Sequence, residues 1–300
     1  MRLTTKTALI FGGGQTHSPG QNAPMGNGRA TALTYAREGA NVMVADRNIA
    51  AAQFVVDEIT KAGGTAKAIA CDVLIESDIT AAITATTSAW GKLDILHNNV
   101  GLSIEAGDAQ ITSIDADAFD HIMRLNLRAM VLAAKHALPI MRKQRYGVIL
   151  NISSIAATET YPWVGYKASK AAILALTEQQ AIQNAEYGIR AVAIQPGMID
   201  TVMAVDARAK AWGQTREEVA KNRASKVPMG RQGTAQDVAN AALFLVSDEA
   251  SFISGISLRV DGASGCRVGL SLSASMRTFL MQLQQRFDTI LAIAKSDQFS

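Results

Sequence analysis

Residues 7–30 read TALIFGGGQTHSPGQNAPMGNGRA, a short apolar run followed by a glycine-rich connection and then an amphipathic stretch. The apolar run at 7–11 has the length and composition of a buried strand, and the stretch from residue 26 has helical spacing. Because glycine has no Cβ, the backbone between them can turn tightly and approach another group closely. A strand, a glycine loop and a helix in this order predict the first unit of a parallel α/β sheet.

The same alternation continues along the chain and predicts further units of this kind. Parallel strands that are buried on both faces are typically short continuous apolar runs, and glycines fall where the intervening helices should end. Seven strands are predicted, at residues 7–11, 41–46, 66–71, 93–98, 148–152, 190–195 and 256–260, and six helices, at 26–38, 48–62, 76–90, 117–144, 166–187 and 235–247. We therefore expect an α/β, doubly wound Rossmann fold with a seven-stranded parallel sheet and helices on both faces.

The domain organisation follows from the segments that do not fit this alternation of strands and helices. No internal repeat or flexible linker divides the chain, so residues 1–263 are predicted to form one domain. Residues 199–230 are polar and mixed and are a candidate substrate lid. Residues 264–300 follow the last strand and carry apolar residues at helical spacing, which predicts a C-terminal helical extension.

Composition excludes several classes of protein. The net charge of +3 comes from 29 basic and 26 acidic residues without a run of like charge, which argues against a nucleic-acid partner. No apolar stretch is long enough to span a bilayer. The two cysteines cannot form a disulfide framework, which favours a reducing compartment and predicts a cytoplasmic protein. The four histidines lack metal-ligand spacing, so no catalytic metal is expected.

The glycine loop and the end of the second strand together predict a dinucleotide site. Free N–H groups at the start of the helix can bind a pyrophosphate, with Gly12, Gly26 and Gly28 allowing its close approach. Asp46 ends the second predicted strand, where a carboxylate can accept hydrogen bonds from ribose hydroxyls and would repel the 2′-phosphate of NADP. This predicts NAD as the cofactor. Arg47 keeps NADP open as the less favoured alternative, because a basic residue here can accommodate that phosphate.

A second motif predicts proton transfer. The chain reads Asn151-Ile152-Ser153-Ser154 and then Tyr166-Lys167-Ala168-Ser169-Lys170, which places Tyr166 and Lys170 on one helix face. A neighbouring ammonium is expected to lower the pKa of a phenol toward working pH, so that the phenol can exchange a proton with an alcohol or carbonyl oxygen. A serine hydroxyl can polarise the same oxygen.

These motifs resemble those of the short-chain dehydrogenases/reductases. Besides the Tyr-x-x-x-Lys pair, the chain has Asn98-Asn99-Val100-Gly101, then Pro196-Gly197 leading to Thr201, and it closes the domain on Val260-Asp261-Gly262. The resemblance covers residues 5–263 with its motifs in order. It implies a homotetramer. It also implies cofactor contacts from Gly12, Gly26, Gly28, Asp46, Asp72, Val73, Asn99, Gly101, Tyr166, Lys170, Pro196, Gly197 and Thr201.

The resemblance also implies the catalytic roles. Tyr166 would be the general acid/base, Lys170 would lower its pKa and hold the nicotinamide ribose, and Asn126 would organise a relay water. Ser154 is chosen as the catalytic serine because it aligns directly after the strand. Ser153 stays open as the alternative, since it lies thirteen residues before the tyrosine, the usual family spacing.

The sequence departs from the family pattern at three places. Ten extra residues separate Gly12 from Gly26, so the cofactor loop is expanded; it could pack over the cofactor or bulge into solvent. Phe11 replaces a threonine. Gln195 stands where an asparagine commonly precedes Pro-Gly, and we attach little function to it.

The function predicted from the sequence is hydride transfer between NAD and a secondary alcohol, either cyclic, aromatic or sugar-like. An NADPH-dependent carbonyl or 3-oxoacyl reductase is the alternative within enzymes, and a non-catalytic dinucleotide-binding regulator is the alternative outside them. The substrate is expected to be a small molecule. Five residues suggest an apolar substrate pocket, with core packing equally open for them: Tyr161, Trp163, Met198, Val202 and Met203.

Overall fold

Seven parallel strands form the central sheet of the structure, a computed structural model that describes residues 1–15 and 24–266. They are β1 (Thr7–Phe11), β2 (Asn41–Asp46), β3 (Thr65–Ala70), β4 (Ile95–Asn98), β5 (Gly147–Ile152), β6 (Ile189–Pro196) and β9 (Ser257–Val260). Their order is β3-β2-β1-β4-β5-β6-β9, so the winding direction reverses between β1 and β4. This confirms the predicted seven-stranded Rossmann fold, and it places the crevice beside the ends of β1 and β4.

Helices cover both faces of the sheet. They are α1 (Asn27–Arg37), α2 (Ile49–Lys61), α3 (Glu76–Trp90), α4 (Ala116–Met123), α5 (Ala129–Gln144), α6 (Val164–Ile182), α7 (Ala207–Trp212), α8 (Arg216–Ser225) and α9 (Ala235–Val246). Successive residues of β1 point to opposite faces, so that Ala8 and Ile10 belong to one apolar cluster and Leu9 and Phe11 to the other. The first cluster includes residues of α1, α2 and α9, and the second includes residues of α3 and α5.

The predicted helix at 117–144 differs from the observed one. It consists of α4 and α5 joined by a π-helical turn at Arg124–Arg128, which contains Asn126. Hydrophobic periodicity does not reveal such a turn, because five residues are too few to show a period of their own. Single π-turns within helices occur frequently at functional sites.

The candidate lid at 199–230 is ordered into short elements. A two-residue strand β7 (Ile199–Asp200) pairs in parallel with β8 (Gly233–Thr234), and a π-helical turn at Val202–Asp206 leads into α7 and α8. Helix α8 begins with a reciprocal cap between Thr215 and Glu218. The lid role of this segment stays a prediction.

Residues 1–265 form one compact unit. The predicted C-terminal helix lies outside the described residues, except for its first positions, and so does most of the expanded cofactor loop, residues 16–23. Within the described ranges, no helix combines the length and apolar character that crossing a membrane requires.

Candidate active site

The glycine loop brings its backbone directly against the first turn of α1. Gly12 has a φ of +74°, and a Cβ on it would lie 2.9 Å from Val100 Cγ2. A Cβ on Gly28 would lie 1.9 Å from the Gly12 carbonyl oxygen, so only glycine fits there. Asn99 Nδ2 donates to that same oxygen at 2.9 Å. The structure thus brings Gly12, Gly28 and Asn99 together in a backbone cradle that fits a pyrophosphate.

The ten-residue expansion of this loop is closed at its base by Gln15. Its side-chain Oε1 accepts from the Gly26 N–H at 2.8 Å, and its backbone N–H donates to the Ala51 carbonyl oxygen at 3.1 Å. Gln15 therefore fixes the position of Gly26, the residue that precedes the first turn of α1. Because a Cβ on Gly26 would meet only Gln15 Oε1, at 3.6 Å, this glycine is not sterically required in the way that Gly28 is.

Two carboxylates lie at the ends of neighbouring strands beside the loop. Asp46 ends β2, and its Oδ1 accepts from the Asn48 N–H at 3.0 Å. Its Oδ2 lies against the glycine loop, where a Cβ on Gly14 would be 2.8 Å away. Asp72 follows β3 and accepts from the Leu74 N–H at 2.9 Å, with Val73 buried between them. Arg47 is exposed.

The remaining predicted cofactor residues lie after β4 and β6. A Cβ on Gly101 would lie 3.0 Å from Lys170 Nζ. Pro196 ends β6, and a Cβ on Gly197 would lie 2.6 Å from Asp261 Cα, which explains the glycine there. Thr201 is buried, and its hydroxyl accepts from the Ala204 N–H at 3.2 Å, which caps the turn that follows.

Helix α6 carries Tyr166 and Lys170 on one face. Lys170 is 2% exposed, its Nζ donates to the Ile152 carbonyl oxygen at 2.8 Å, and it lies 5.5 Å from the centre of the Tyr166 ring. The Ser154 hydroxyl faces that of Tyr166, where its hydrogen bonding acts to lower the pKa of the phenol. The Ser153 hydroxyl instead donates to the Lys170 carbonyl oxygen at 2.7 Å. The geometry therefore supports Ser154 over Ser153 as the serine of the site.

The pKa values run opposite to the predicted direction. Burial raises the pKa of Tyr166 to about 12, and the nearby Tyr161 adds to the rise, while Ser154, Arg208 and Arg223 lower it in part. Burial also lowers the pKa of Lys170 to about 7. The expected fall of the phenol pKa is not observed in the chain alone, because the burial of Tyr166 outweighs the groups that lower its pKa; the effect of Lys170 on the phenol stays a prediction.

The buried lysine gives a testable pH dependence of stability. The unfolded chain holds the Lys170 proton up to about pH 10.5, whereas the folded chain gives it up at about pH 7. The unfolded state thus binds more protons in this window, so stability rises with pH across it. We expect the free energy of unfolding of the wild type to increase relative to Lys170→Met between pH 7 and pH 9.5 in urea titrations. A difference that does not change with pH would contradict the buried, destabilised ammonium.

The π-helical turn sets Asn126 at the centre of the site. Its side chain is fully buried; Nδ2 donates to the Leu102 carbonyl oxygen and to Ser169 Oγ, both at 3.0 Å. Oδ1 accepts from the Leu102 N–H at 2.9 Å and faces Gly101. The amide therefore joins the segment after β4 to α6. Its Oδ1 keeps a second lone pair for another donor.

Asp108 is a site residue that the sequence analysis missed. It is buried, and its two carboxylate oxygens each accept at 2.9 Å from the backbone, Oδ1 from Gly165 N–H and Oδ2 from Tyr166 N–H. Ser103 Oγ also donates to it, at 3.0 Å. A carboxylate at a helix N-terminus is favourable because free N–H groups point at it. Asp108 thereby fixes the turn that carries Tyr166.

Aromatic rings and a cation lie beside Tyr166. The Tyr161 ring lies 5.3 Å from that of Tyr166 and 5.3 Å from that of Trp163. Arg208 of α7 donates from Nη2 to the Tyr161 hydroxyl at 3.2 Å. The structure thus places the predicted pocket residues Tyr161 and Trp163 next to the tyrosine, while Met203 is exposed and Met198 lines a separate cavity beside β9.

Comparison with known proteins places this fold and site in a family. A family model described as enoyl-(acyl carrier protein) reductase matches residues 22–263. The chain is 36% identical over 263 residues to 2-(S)-hydroxypropyl-CoM dehydrogenase 3 of Xanthobacter autotrophicus, which covers 87% of this chain and 97% of that protein. It is also 36% identical over 272 residues to 2,5-dichloro-2,5-cyclohexadiene-1,4-diol dehydrogenase of Sphingobium indicum, with 90% and 99% of the two chains covered.

A solved structure agrees with these relatives. A protein of Burkholderia xenovorans assigned to the short-chain dehydrogenases/reductases superposes with a TM-score of 0.82 at 34% identity, and the match covers 89% of this chain and 99% of that one. The chain belongs to the short-chain dehydrogenase/reductase family and is an NAD(P)-dependent enzyme acting on CH–OH donors. This leaves the alternative of a non-catalytic regulator without support.

Proposed function

We propose that this enzyme transfers a hydride between a secondary alcohol and NAD, with Tyr166 as the general acid/base. The observation that carries the proposal is the arrangement around Tyr166 at the crevice formed by the sheet, with Ser154 hydrogen-bonded to the phenol and Lys170 Nζ 5.5 Å from the ring centre. When bound, the nicotinamide accepts or supplies the hydride. The protein supplies the proton transfer and the position of the reacting oxygen.

Each residue has a defined part in alcohol oxidation. Tyr166 removes the hydroxyl proton while Ser154 holds the same oxygen by a hydrogen bond. Lys170 is close enough to stabilise the phenolate that forms, and its own pKa of about 7 lets it exchange a proton at neutral pH. The free lone pair of Asn126 Oδ1 can accept from a relay water next to Gly101.

Asp46 supports NAD over NADP as the cofactor. Its Oδ2 lies beside the glycine loop at the end of β2, where it can accept from adenosine ribose hydroxyls and would repel a 2′-phosphate. Gly14 leaves room for this carboxylate. The exposed Arg47 is the observation that favours the alternative, an NADPH-dependent carbonyl or 3-oxoacyl reductase.

Replacing Asp46 with alanine tests whether the enzyme is specific for NAD or for NADP. We expect Asp46→Ala to lower kcat/KM for NAD+ by about 10- to 100-fold, because charged hydrogen bonds to the ribose are lost. Activity with NADP+ should rise relative to NAD+ as the repulsion is removed. The measurement is initial-rate kinetics with both cofactors, with Asp57→Ala on the exposed side of α2 as the matched control. A wild type that already prefers NADP+ would instead support the reductase alternative.

The substrate class is tested by nicotinamide absorbance with a panel of cyclic, aromatic and sugar alcohols. The two relatives named above support this choice, because they are named as dehydrogenases of a hydroxypropyl compound and of a cyclohexadienediol. Oxidation of at least one class is the expected result. Absence of turnover with every alcohol and of reduction with every matching ketone would contradict the proposed reaction.

The proposal also covers the oligomeric state of the enzyme and its place in the cell. Family membership favours a homotetramer. Cys71 and Cys266 are both free thiols, which is typical of proteins in a reducing compartment and supports a cytoplasmic enzyme.

A further inference from the structure

Two arginines of the lid segment act electrostatically on Tyr166, and their hydrogen bonds go to neutral groups. Arg208 donates from Nη1 to the Ala204 carbonyl oxygen at 2.8 Å and from Nη2 to the Tyr161 hydroxyl, and its guanidinium carbon lies 5.6 Å from the Trp163 ring centre. Arg223 donates from Nε to Gln232 Oε1 at 2.8 Å and from Nη2 to the Ile199 carbonyl oxygen at 3.3 Å. All of these partners are neutral groups.

This arrangement contrasts with a third arginine of the same segment. Arg216 forms ion pairs with Asp200 and Asp206. Within residues 1–15 and 24–266, neither Arg208 nor Arg223 forms an ion pair, although both are half-buried. Asp200, which is ion-paired with Arg216, also acts on Arg223 electrostatically, so Arg223 shares that carboxylate with Arg216. A partly buried cation with no ion pair of its own is costly, because it has lost part of its hydration without gaining a full opposite charge.

The two cations also act on each other and on the phenol. Burial, together with the charge of Arg208, lowers the pKa of Arg223 to about 10. Both guanidinium groups act to lower the pKa of Tyr166, so their charges are felt at the reacting hydroxyl. The aromatic ring of Tyr161 lies between Arg208 and Tyr166, at 5.3 Å from the latter ring. Arg208 is therefore connected to the Tyr166 ring through a single intervening side chain.

We propose that Arg208 and Arg223 bind an oxyanion group, a carboxylate or sulfonate, carried by the alcohol substrate whose hydroxyl lies at Tyr166. The planar guanidinium fork matches such groups and can bind them through two parallel hydrogen bonds. Because Tyr161 contacts both Arg208 and the Tyr166 ring, a compact skeleton, such as one aromatic ring, is favoured between the anion and the carbinol. This inference rests on the proposed alcohol dehydrogenase function and narrows its substrate class.

Turnover tests the preference for the anion. The probes are 4-(1-hydroxyethyl)benzoate, 4-(1-hydroxyethyl)benzenesulfonate and the neutral 1-phenylethanol, each with NAD+. We expect the wild type to prefer at least one anionic alcohol by about 10- to 100-fold in kcat/KM, the range for hydrogen bonds to charged groups. Arg208→Gln should lose most of this preference, so that its kcat/KM values with the anionic alcohols approach its own value with 1-phenylethanol. Arg223→Lys, which keeps the charge, should retain part of it, whereas Arg223→Gln should not.

The control is Lys210→Gln, which removes one positive charge from the exposed side of the same helix α7. It should keep the full preference. Equal kcat/KM for the three wild-type substrates, or a preference that survives in Arg208→Gln and Arg223→Gln, would overturn the proposal. A fall in NAD+ affinity with an unchanged preference would show that the arginines serve the cofactor, and would overturn it as well.

Binding separates this inference from the proposed reaction. Titration calorimetry with benzenesulfonate and with neutral benzenesulfonamide needs no turnover. We expect the NAD+-loaded wild type to bind benzenesulfonate at least tenfold more tightly, and Arg208→Gln to bind the two equally. This result without oxidation of any alcohol would contradict the reaction but support the anion site. Equal binding by the wild type would overturn the anion site, even if alcohols are oxidised.

Discussion

Replacing Tyr166 with phenylalanine is expected to lower kcat by about 10²- to 10⁴-fold, because the variant lacks the group that exchanges a proton with the substrate oxygen. The ring itself should stay in place, since Asp108 holds the backbone N–H of residue 166 and Tyr161 packs against the ring. Affinity for NAD+ should therefore change little. The measurement is steady-state kinetics of alcohol oxidation together with calorimetric binding of NAD+.

The matched control is Tyr187→Phe, which removes a phenol hydroxyl from the turn after α6. Tyr187 contacts the guanidinium groups of Arg142 and Arg145 through its ring, and phenylalanine keeps that ring. We expect wild-type kinetics from this control. Full activity of Tyr166→Phe would overturn the assigned acid/base and would require another proton donor near Ser154.

Replacing Gly28 with alanine is expected to abolish most cofactor binding, with a loss of at least about tenfold in NAD+ affinity. The added Cβ would overlap the Gly12 carbonyl oxygen at 1.9 Å and would lie 2.9 Å from Asn99 Nδ2. Both neighbours are held: Gly12 is backbone, and Asn99 is bonded to it. Helix α1 must therefore move away from the loop. The displacement should also lower stability by about 1–3 kcal/mol, as overpacking does elsewhere.

Gly26→Ala provides the comparison two residues away. Its Cβ would meet only Gln15 Oε1, at 3.6 Å, so the folded state has room for it. Thermal unfolding should show Gly26→Ala close to the wild type and Gly28→Ala clearly less stable. If the two variants unfold alike and bind NAD+ alike, then the close approach between α1 and the loop is not what shapes this site.

The sheet was predictable from the sequence for a simple physical reason. A strand buried on both faces is a continuous apolar run, and its ends are set by glycine or polar residues; β1 and β2 begin and end at the predicted residues. The Tyr166–Lys170 pair was predictable because a spacing of four places two residues on one helix face. Both signals are local, and a local signal can be found in one sequence.

The contacts that position the site are not local. Asp108 caps α6 across 57 residues, and nothing in its own neighbourhood indicates a helix that far along the chain. Arg208 and Arg223 lie in two short helices with weak periodicity. The sequence therefore indicated only a polar, mixed segment and not that the two arginines belong to one site. The phenol pKa depends on how deeply Tyr166 itself is buried, and a spacing of four residues carries no information on burial.

The π-helical turn at Arg124–Arg128 has a geometric consequence for the two helices it joins. A π-turn closes its hydrogen-bonded ring over one residue more than an α-turn does, and one residue of α-helix corresponds to a rotation of about 100°. The apolar faces of α4 and α5 are therefore set out of phase by one residue. Straightening the helix by removing that residue would restore the phase and would rotate Asn126 away from Leu102 and Ser169. The extra residue is thus a rotational offset that lets α5 face the sheet while the preceding amide faces the crevice.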